Sequence, residues 1–319
     1  MADSDPHSGD NWERRALEKV ALAAIQEQRR ARHWGIFFKL LLFTYLFALL
    51  FIALGWFGKK DGASTGKHSA LVELRGVIGP DSAASADNIV AGLREAFKDK
   101  RTQGVILRIN SPGGSPVQAG NINDEIMRLR GKYPNIPIYA VVEDICASGG
   151  YYVAVAADQI YVDKGSIIGS IGVLMDGFGF TGLMDKLGVE RRLLTSGENK
   201  SFLDPFSPVR KPQVQYAESM LDEIHKQFIA VVRQGRGERL KETPEIFSGL
   251  LWVGARSVEL GLADGLGSVD YVAREVIKAE EIVDFTPREN IAERVARRFG
   301  AAMAEMLVRS ATLNSFTIR

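Results

Sequence analysis

The sequence predicts an α/β fold with a mostly parallel sheet, preceded by one transmembrane helix. Three observations support this prediction. Short apolar strand-like runs alternate with amphipathic helical stretches along the body of the chain, and this alternation is typical of parallel strands joined by crossover helices. Two glycine-rich turns each follow one of the predicted strands. One almost uninterrupted apolar run, Leu40–Phe57, lies near the N-terminus.

The apolar run Leu40–Phe57 is long enough to cross a membrane, which requires roughly 17–25 apolar residues. Trp34 and Trp56 bracket it, as aromatic residues do at membrane interfaces. A buried core helix is a poor alternative because the run has no polar face. A cleaved signal peptide is also disfavoured, because the segment before the run is too long and no A-x-A site follows it.

The distribution of charge around the apolar run predicts its orientation. More basic residues precede it than follow it, and cytoplasmic flanks of membrane helices are enriched in such residues. Those before the run are Arg14, Arg15, Lys19, Arg29, Arg30, Arg32 and Lys39, and those after it are Lys59, Lys60 and Lys67. We therefore expect five segments: a charged cytoplasmic segment 1–39, a signal anchor 40–57, a polar linker 58–68, a folded body 69–285 outside the cytoplasm, and a C-terminal amphipathic tail 286–319.

The body contains the alternating elements in order. Predicted strands cover Leu71–Leu74, Val105–Leu107, Ile136–Val142 and Arg191–Leu194. Predicted helices follow Ser85, cover Gln118–Leu129, follow Ser148 and cover Val214–Gln234. The tail carries an apolar stripe with a spacing of four residues, which favours a packing or oligomerisation helix over a membrane-surface helix; the stripe is Ile291, Val295, Phe299, Met303 and Leu307.

The composition argues against several functional classes. Forty basic residues against thirty-nine acidic ones leave a net charge of +1, so no basic field for nucleic acid is expected. The single cysteine, Cys146, excludes an intramolecular disulfide. His225 is the only histidine of the predicted body, so neither a metal site nor a histidine-based triad is expected. The glycine pattern Gly177–Gly182 lies in a β-α-β stretch too short for a dinucleotide fold, and no cofactor is predicted.

The first candidate for chemistry is Ser148, within the stretch Asp144–Tyr152. It lies between a predicted strand and a predicted helix. The start of a helix offers free N–H groups and a positive dipole, which favour an oxyanion. Gly149 and Gly150 allow a tight turn and the close approach of a substrate. An ordinary N-capping serine explains the local pattern equally well.

The second candidate is the turn Ile109–Ser115, which also ends a predicted strand. Its paired glycines, Gly113 and Gly114, can present a backbone N–H to a developing oxyanion. An ordinary Pro-Gly turn is the alternative. Both glycine-rich turns follow parallel strands and should face the same edge of the sheet, where ligands bind in open α/β folds.

A serine nucleophile needs a general base. Because the body has almost no histidine, lysine is the natural substitute, and Lys200 lies in a polar loop rather than on a polar helix face. A lysine can accept a proton near neutral pH only if desolvation lowers its pKa. Cys146 lacks a histidine partner and is expected to be a small buried residue.

Four motifs together carry a family resemblance. They are Asn110–Ser115, Ala147–Tyr152, Gly169–Val173 and Ser196–Lys200. In order and spacing they resemble the S49 serine peptidases, the signal peptide peptidase A family, in its short single-domain bacterial form. The resemblance covers roughly residues 69–280.

The resemblance implies a Clp-protease/crotonase fold and a Ser-Lys dyad. Ser148 would attack the peptide carbonyl, Lys200 would accept its proton, and Ser170 would hold the lysine amine. The oxyanion hole would use the N–H of Gly114 or Gly113, together with that of Gly149.

The resemblance also implies a homo-oligomer in which the lysine reaches the serine of a neighbouring subunit. The protein would be anchored by one helix in the bacterial inner membrane and would degrade remnant signal peptides left in the lipid bilayer. Two alternatives stay open: a crotonase-type acyl-CoA enzyme and a non-catalytic membrane scaffold. Neither would require the Ser148–Lys200 pair.

Overall fold

The computed structural model of the protein describes residues 9–53 and 66–287. The chain divides into two compact units, of which the first contains a single described helix and the second spans Asp61–Pro287. The predicted C-terminal stripe, Trp56 and most of the predicted linker lie outside the described residues.

The first unit contains the helix α1, Gly9–Ala53. It begins far ahead of the predicted anchor, because the preceding segment is rich in alanine, glutamate and arginine, which favour helix. Within α1, the segment Ala16–Leu50 has a mean hydropathy of 1.7 in its most apolar window. By length and composition α1 is therefore a candidate membrane-spanning helix, as predicted.

The second unit contains eight strands and seven α-helices among the described residues. The strands are β1 His68–Arg75, β2 Thr102–Ser111, β3 Ile138–Ala147, β4 Gln159–Val162, β5 Ile167–Gly169, β6 Leu251–Val253, β7 Gly265–Leu266 and β8 Ile282–Asp284. The helices are α2 Ala86–Lys98, α3 Pro116–Lys132, α4 Gly149–Ala154, α5 Thr181–Leu187, α6 Lys211–Arg236, α7 Gly254–Glu259 and α8 Val269–Tyr271, the last continued by a wider helical turn over Val272–Ile277.

All eight strands form one sheet, in the order β6-β5-β3-β2-β1-β8, with β4 and β7 on a side branch. Every pairing is parallel except that of β5 with β6. The branch arises on β3, which pairs with β4 as far as Val142 and with β5 from Ile145 onwards. The predicted α/β class with a mostly parallel sheet is confirmed.

The sheet is covered on both faces, which explains the apolar character of its central strands. Val72, Leu74 and Leu107 are fully buried on the face packed by α2, α3 and α4. Leu71 and Ile106 point to the other face, where they contact the helical segment after β7. Because successive residues of the strands pack on opposite faces of the sheet, the ends of β2, β3 and β5 have little freedom to move.

The structure differs from the sequence-based predictions at residues 191–194 and at His68. The predicted strand Arg191–Leu194 does not form. Its residues are exposed and take part in none of the described strand pairings. His68, assigned to the linker, is the first residue of β1 and is fully buried. Its ring lies 3.4 Å from Thr102 Oγ1, at the amino edge of the sheet.

The end of α6 is locked to the core by a buried ion pair. The Arg236 side chain is 1% exposed, and its two terminal nitrogens donate to the two Asp264 oxygens at 2.8 and 2.9 Å. Burial by itself would raise the pKa of Asp264, but the hydrogen bonds and charge of Arg236 outweigh it and keep that pKa below its usual value. Gly235 allows the same helix end to touch Val155, directly after α4, because a Cβ at Gly235 would lie 2.2 Å from the Val155 oxygen.

We predict that Arg236→Ala lowers the free energy of unfolding at pH 7 by about 3–5 kcal/mol, since it leaves a largely buried carboxylate without its main partner. The Asp264 carboxylate stabilises the fold above its unfolded pKa of about 4, and this stabilisation is lost as the pH falls through the lower folded pKa. The difference between wild type and variant should therefore shrink below about pH 4. Urea unfolding at pH 7 and at acidic pH measures it.

Arg239→Ala is the matched control. Arg239 also contacts Asp264, at 3.1 Å, but its side chain is 41% exposed. Its removal should cost no more than about 1 kcal/mol. An equal loss in the two variants would contradict the role assigned to the buried pair.

Candidate active site

Three turns meet at the carboxyl edge of the sheet, where β2, β3 and β5 end. The Ser148 N–H donates to the Gly169 oxygen at 2.9 Å, which joins the turns after β3 and β5. A Cβ at Gly113 would lie 2.7 Å from Ser148 Cβ and 2.7 Å from the Gly149 nitrogen, so the turn after β2 is in close backbone contact with the same site. The parallel topology thus brings Ser148, Ser170 and the paired glycines together. The shared edge of the two glycine-rich turns follows from their positions after parallel strands, as predicted, whereas Ser170 entered the prediction only through the family resemblance.

Ser148 itself has a left-handed backbone, with φ 52° and ψ −122°. The positive φ angle belongs to the serine itself, because the two glycines that follow it do not have positive φ angles. Such a conformation costs roughly 1–3 kcal/mol at a non-glycine residue and persists only where the surroundings impose it. The Ser148 side chain makes no capping hydrogen bond to α4. The interpretation of Ser148 as an ordinary N-cap is therefore wrong.

The turn after β2 is oriented by a parallel bridge to Ile78. The Ile78 N–H donates to the Gly113 oxygen at 2.8 Å, and the Ser115 N–H donates to the Ile78 oxygen at 2.9 Å. In a trans peptide the C=O and the following N–H point in opposite directions. Because the Gly113 C=O points at Ile78, the Gly114 N–H points away from Ile78.

Two N–H groups are available beside Ser148. The Gly114 nitrogen lies 3.3 Å from the position that a Gly149 Cβ would occupy, and within residues 66–287 neither Gly114 nor Gly149 donates a backbone hydrogen bond. The Gly113 N–H differs, because it donates to Ser111 Oγ at 3.1 Å. The pair formed by Gly114 and Gly149 is thus free to bind an oxyanion, and the Gly113 N–H is already occupied.

Ser148 opens onto a cavity of about 550 Å³. Ser170 lines the same cavity and has the same left-handed backbone, with φ 52°. The Ser170 N–H donates to the Leu250 oxygen at 2.7 Å, so the β6 side of the sheet holds this turn. The walls are mostly apolar; they include Tyr152, Val173, Leu174, Ile224 and Phe228.

The helix α6 also contributes to this cavity, which was not predicted from the sequence. Ile224, Gln227 and Phe228 line it, and the Tyr152 and Phe228 rings pack at 5.2 Å. The four-residue spacing of Ile224 and Phe228 indicates that they share one face of a helix. Which part of the protein that face contacts is decided only by tertiary packing. His225, on the same helix, lies with Nε2 3.1 Å from the Ile171 oxygen, next to Ser170.

Lys200 is not among the residues that line the cavity of Ser148. It lies in an exposed turn, where its N–H donates to the Gly197 oxygen at 3.1 Å. Every residue from 174 to 210 is exposed or half-buried, so the whole segment lacks a core of its own. The structure therefore unites Ser148 and Ser170 but leaves Lys200 on the surface of the single chain.

The histidine and cysteine side chains of the second unit lie outside the cavity of Ser148. Neither histidine of the second unit, His68 or His225, lines the cavity. Cys146 is fully buried, and burial raises the pKa of its thiol well above the usual range, which disfavours the nucleophilic thiolate. Among the described residues, no group of three or more His, Cys, Asp or Glu side chains could hold a metal ion.

Comparisons with known proteins identify the family to which the chain is similar. The model of peptidase family S49 matches residues 131–283. The chain is 30% identical over 235 residues to a protein of Enterococcus faecium named "Putative signal peptide peptidase SppA", covering 71% of this chain and 67% of that protein. It is 31% identical over 218 residues to a "Putative protease" of Methanocaldococcus jannaschii, covering 67% of this chain and 69% of that one.

The chain belongs to peptidase family S49. Higher identity over a shorter stretch is found with a protein of Brucella melitensis named Na(+)/H(+) antiporter NhaA, at 45% over 177 residues. That match covers 56% of this chain and only 24% of the Brucella protein. The S49 match includes Ser148, Ser170 and Lys200 but begins after the Gly113–Gly114 turn.

We predict that Gly114→Ala disrupts the candidate site by distorting its glycine turn. Gly114 has φ +147°, and a Cβ there would lie 2.1 Å from the Ile78 oxygen. Both effects force the backbone to move, at a cost of about 1–3 kcal/mol. Thermal unfolding measures the loss. Gly120→Ala is the control, because a Cβ at that helical glycine meets nothing within 4 Å, and it should be neutral or slightly stabilising.

Proposed function

We propose that the protein is a membrane-anchored serine endopeptidase with Ser148 as nucleophile and Lys200 as general base. The observation that most supports this proposal is the left-handed backbone of Ser148, whose side chain makes no capping hydrogen bond and which lies beside two free N–H groups in a largely apolar cavity. Strained backbone conformations of this kind cluster at active sites. Membership of family S49 supports the same assignment.

The proposed reaction uses Ser148, Lys200 and the two free N–H groups in turn. Ser148 Oγ attacks the carbonyl carbon of the peptide bond while the Lys200 amine accepts the hydroxyl proton. The carbonyl oxygen becomes an oxyanion, which the Gly114 and Gly149 N–H groups stabilise. The resulting lysine ammonium returns the proton to the leaving amine. Water then attacks the acyl-serine ester, again with Lys200 as base, and releases the second product.

We propose that Lys200 acts on Ser148 of a neighbouring copy of the chain. A base must lie within hydrogen-bond reach of the proton that it removes, and Lys200 is exposed and outside the cavity of its own chain. Contact with a second subunit would bring the lysine amine within reach of that serine and remove solvent from it. Ser170, which shares the cavity with Ser148, would then hold the incoming amine.

The segment that contains Lys200 supports assembly. It exposes large apolar side chains that a second copy would cover; they include Leu174, Phe178, Leu183, Leu187, Leu193, Leu194 and Val209. Within the segment, Phe180 stacks on Phe206 at 5.3 Å and Arg191 pairs with Asp204, so it has an ordered shape to present. We propose a homo-oligomer as the active form.

The substrate class follows from the cavity and the anchor. The mostly apolar walls suit apolar peptide segments, and α1 would hold the enzyme where such segments leave the membrane. Cleaved signal peptides fit this description, in keeping with the name of the Enterococcus relative. The basic residues before Leu40 favour a cytoplasmic N-terminus, with the peptidase body on the extracytoplasmic side of the bacterial inner membrane.

A crotonase-type acyl-CoA enzyme and a non-catalytic scaffold are the alternatives. The first would also use two N–H donors at an oxyanion but would have no need of a strained serine between them. The second would need neither donors nor nucleophile. The Ser148 backbone therefore favours the peptidase over both.

We predict that Ser148→Ala and Lys200→Ala each lower kcat on an apolar, signal-like peptide by about 10³-fold or more, because each removes a group that acts in the chemical step. Ser170→Ala should lower kcat less, by roughly 10–100-fold, because Ser170 would position the lysine without reacting itself. Peptide cleavage by the full chain in detergent, with subunit mass checked for every variant, tests this. Wild-type cleavage by Lys200→Ala would contradict the assigned base.

Mixing the two inactive variants tests the sharing of the site. When Ser148→Ala and Lys200→Ala chains are dissociated, mixed and reassembled, the serine of one meets the lysine of the other at about a quarter of the sites under random pairing. Activity should return to that level if the base acts between subunits. Mixtures that stay inactive, although mass analysis shows mixed assemblies, would place the base in the same chain.

A further inference from the structure

Ser111 is a polar residue beneath the proposed oxyanion site that the mechanism above does not use. It ends β2 and is fully buried. Its hydroxyl makes two hydrogen bonds: it donates to the Gly76 oxygen at 2.6 Å and accepts from the Gly113 N–H at 3.1 Å. Gly76 directly follows β1, so one hydroxyl ties the glycine turn to the end of the neighbouring strand.

The second hydrogen bond completes the orientation of Gly113. The Gly113 C=O is held by the Ile78 N–H at 2.8 Å, and its N–H is held by Ser111. Gly113 has φ +100°, and glycine without such restraints samples a wide range of backbone angles. With both polar groups of Gly113 fixed, the trans peptide that links it to Gly114 has one orientation, in which the Gly114 N–H points away from Ile78.

Ser111 also touches the other donor segment. A Cβ at Gly150 would lie 3.0 Å from the Ser111 oxygen, so the start of α4 packs directly on the Ser111 backbone. One residue thereby contacts the two segments that supply the Gly114 and Gly149 donors. Ser111 does not line the cavity and cannot touch a substrate there.

We propose that Ser111 is a positioning residue that aims the Gly114 N–H at the oxyanion of the Ser148 reaction. This inference rests on the proposed peptidase function for its catalytic consequence. Its structural part, the hydrogen bond that restrains Gly113, can be measured without any activity.

The experiment compares Ser111→Ala with Ser69→Ala in the full chain. Ser69 is a matched control because it is also fully buried and donates one hydrogen bond, to the Ala279 oxygen at 2.7 Å, near the amino end of β1. Both variants should lose stability to a similar extent. Only Ser111→Ala should lower kcat, by about 10–100-fold, with KM changed less than about twofold, because an oxyanion donor acts in the transition state.

A peptide boronate, which forms a tetrahedral adduct with a serine nucleophile, gives a second readout. Its affinity should fall in Ser111→Ala by about the same factor as kcat, whereas the affinity of a product peptide should not. Ser111→Cys retains a weak donor and acceptor of similar shape and should recover part of the activity. Equal losses of kcat in the Ser69 and Ser111 variants, or equal weakening of boronate and product, would overturn the proposal.

Amide hydrogen exchange separates this inference from the peptidase assignment. Pro112 and Pro116 carry no N–H, so the turn contributes few amide signals. The Gly113 amide hydrogen should exchange slowly in wild type and much faster in Ser111→Ala. Fast exchange of Gly113 in wild type would overturn the positioning role. Protection of Gly113 in a chain that binds no boronate and cleaves no peptide would instead refute the peptidase function and, with it, the catalytic role of Ser111.

Discussion

Close backbone contact between the turns after β2 and β3 is the constraint on which the site depends. Gly113 lies so near Ser148 and Gly149 that a single added methyl group would fall 2.7 Å from either one. This contact requires glycine on one side and a left-handed serine on the other, and it can exist only because two neighbouring parallel strands end at the same edge. The bridge from Ile78 to Gly114 and the bond from Ser148 to Gly169 then hold the turns in register.

The strain at Ser148 is sustained by rigid surroundings. Below it, β3 lies between fully buried apolar residues of the large core. Behind α4, the end of α6 is held by the buried pair of Arg236 and Asp264, and Tyr151 donates to the Leu262 oxygen at 2.8 Å. The short helix that begins at Gly149 therefore has little freedom to relax the residue before it.

The segment around Lys200 has the opposite character. It is exposed along its length and carries many large apolar side chains, in contrast to the packed strands that it leaves. Lys200 as the proposed base would therefore meet Ser148 only through a further contact. The proposed shared site would keep the isolated chain inactive until it assembles.

The sequence by itself determined the α/β class, the order of the first three strands and of α2, α3, α4 and α6, and the meeting of the two glycine-rich turns at one sheet edge, because each depends on local pattern or on the rule that parallel strands end together. Hydrophobic spacing located α2, α3 and α6 within a few residues, and the two glycine-rich turns identified the edge. Only the tertiary structure decided that Ser148 bears the left-handed backbone, that Ser111 already occupies the Gly113 N–H, and that α6 forms a cavity wall. These features depend on contacts between residues distant in the chain, and no local pattern of residue types encodes them.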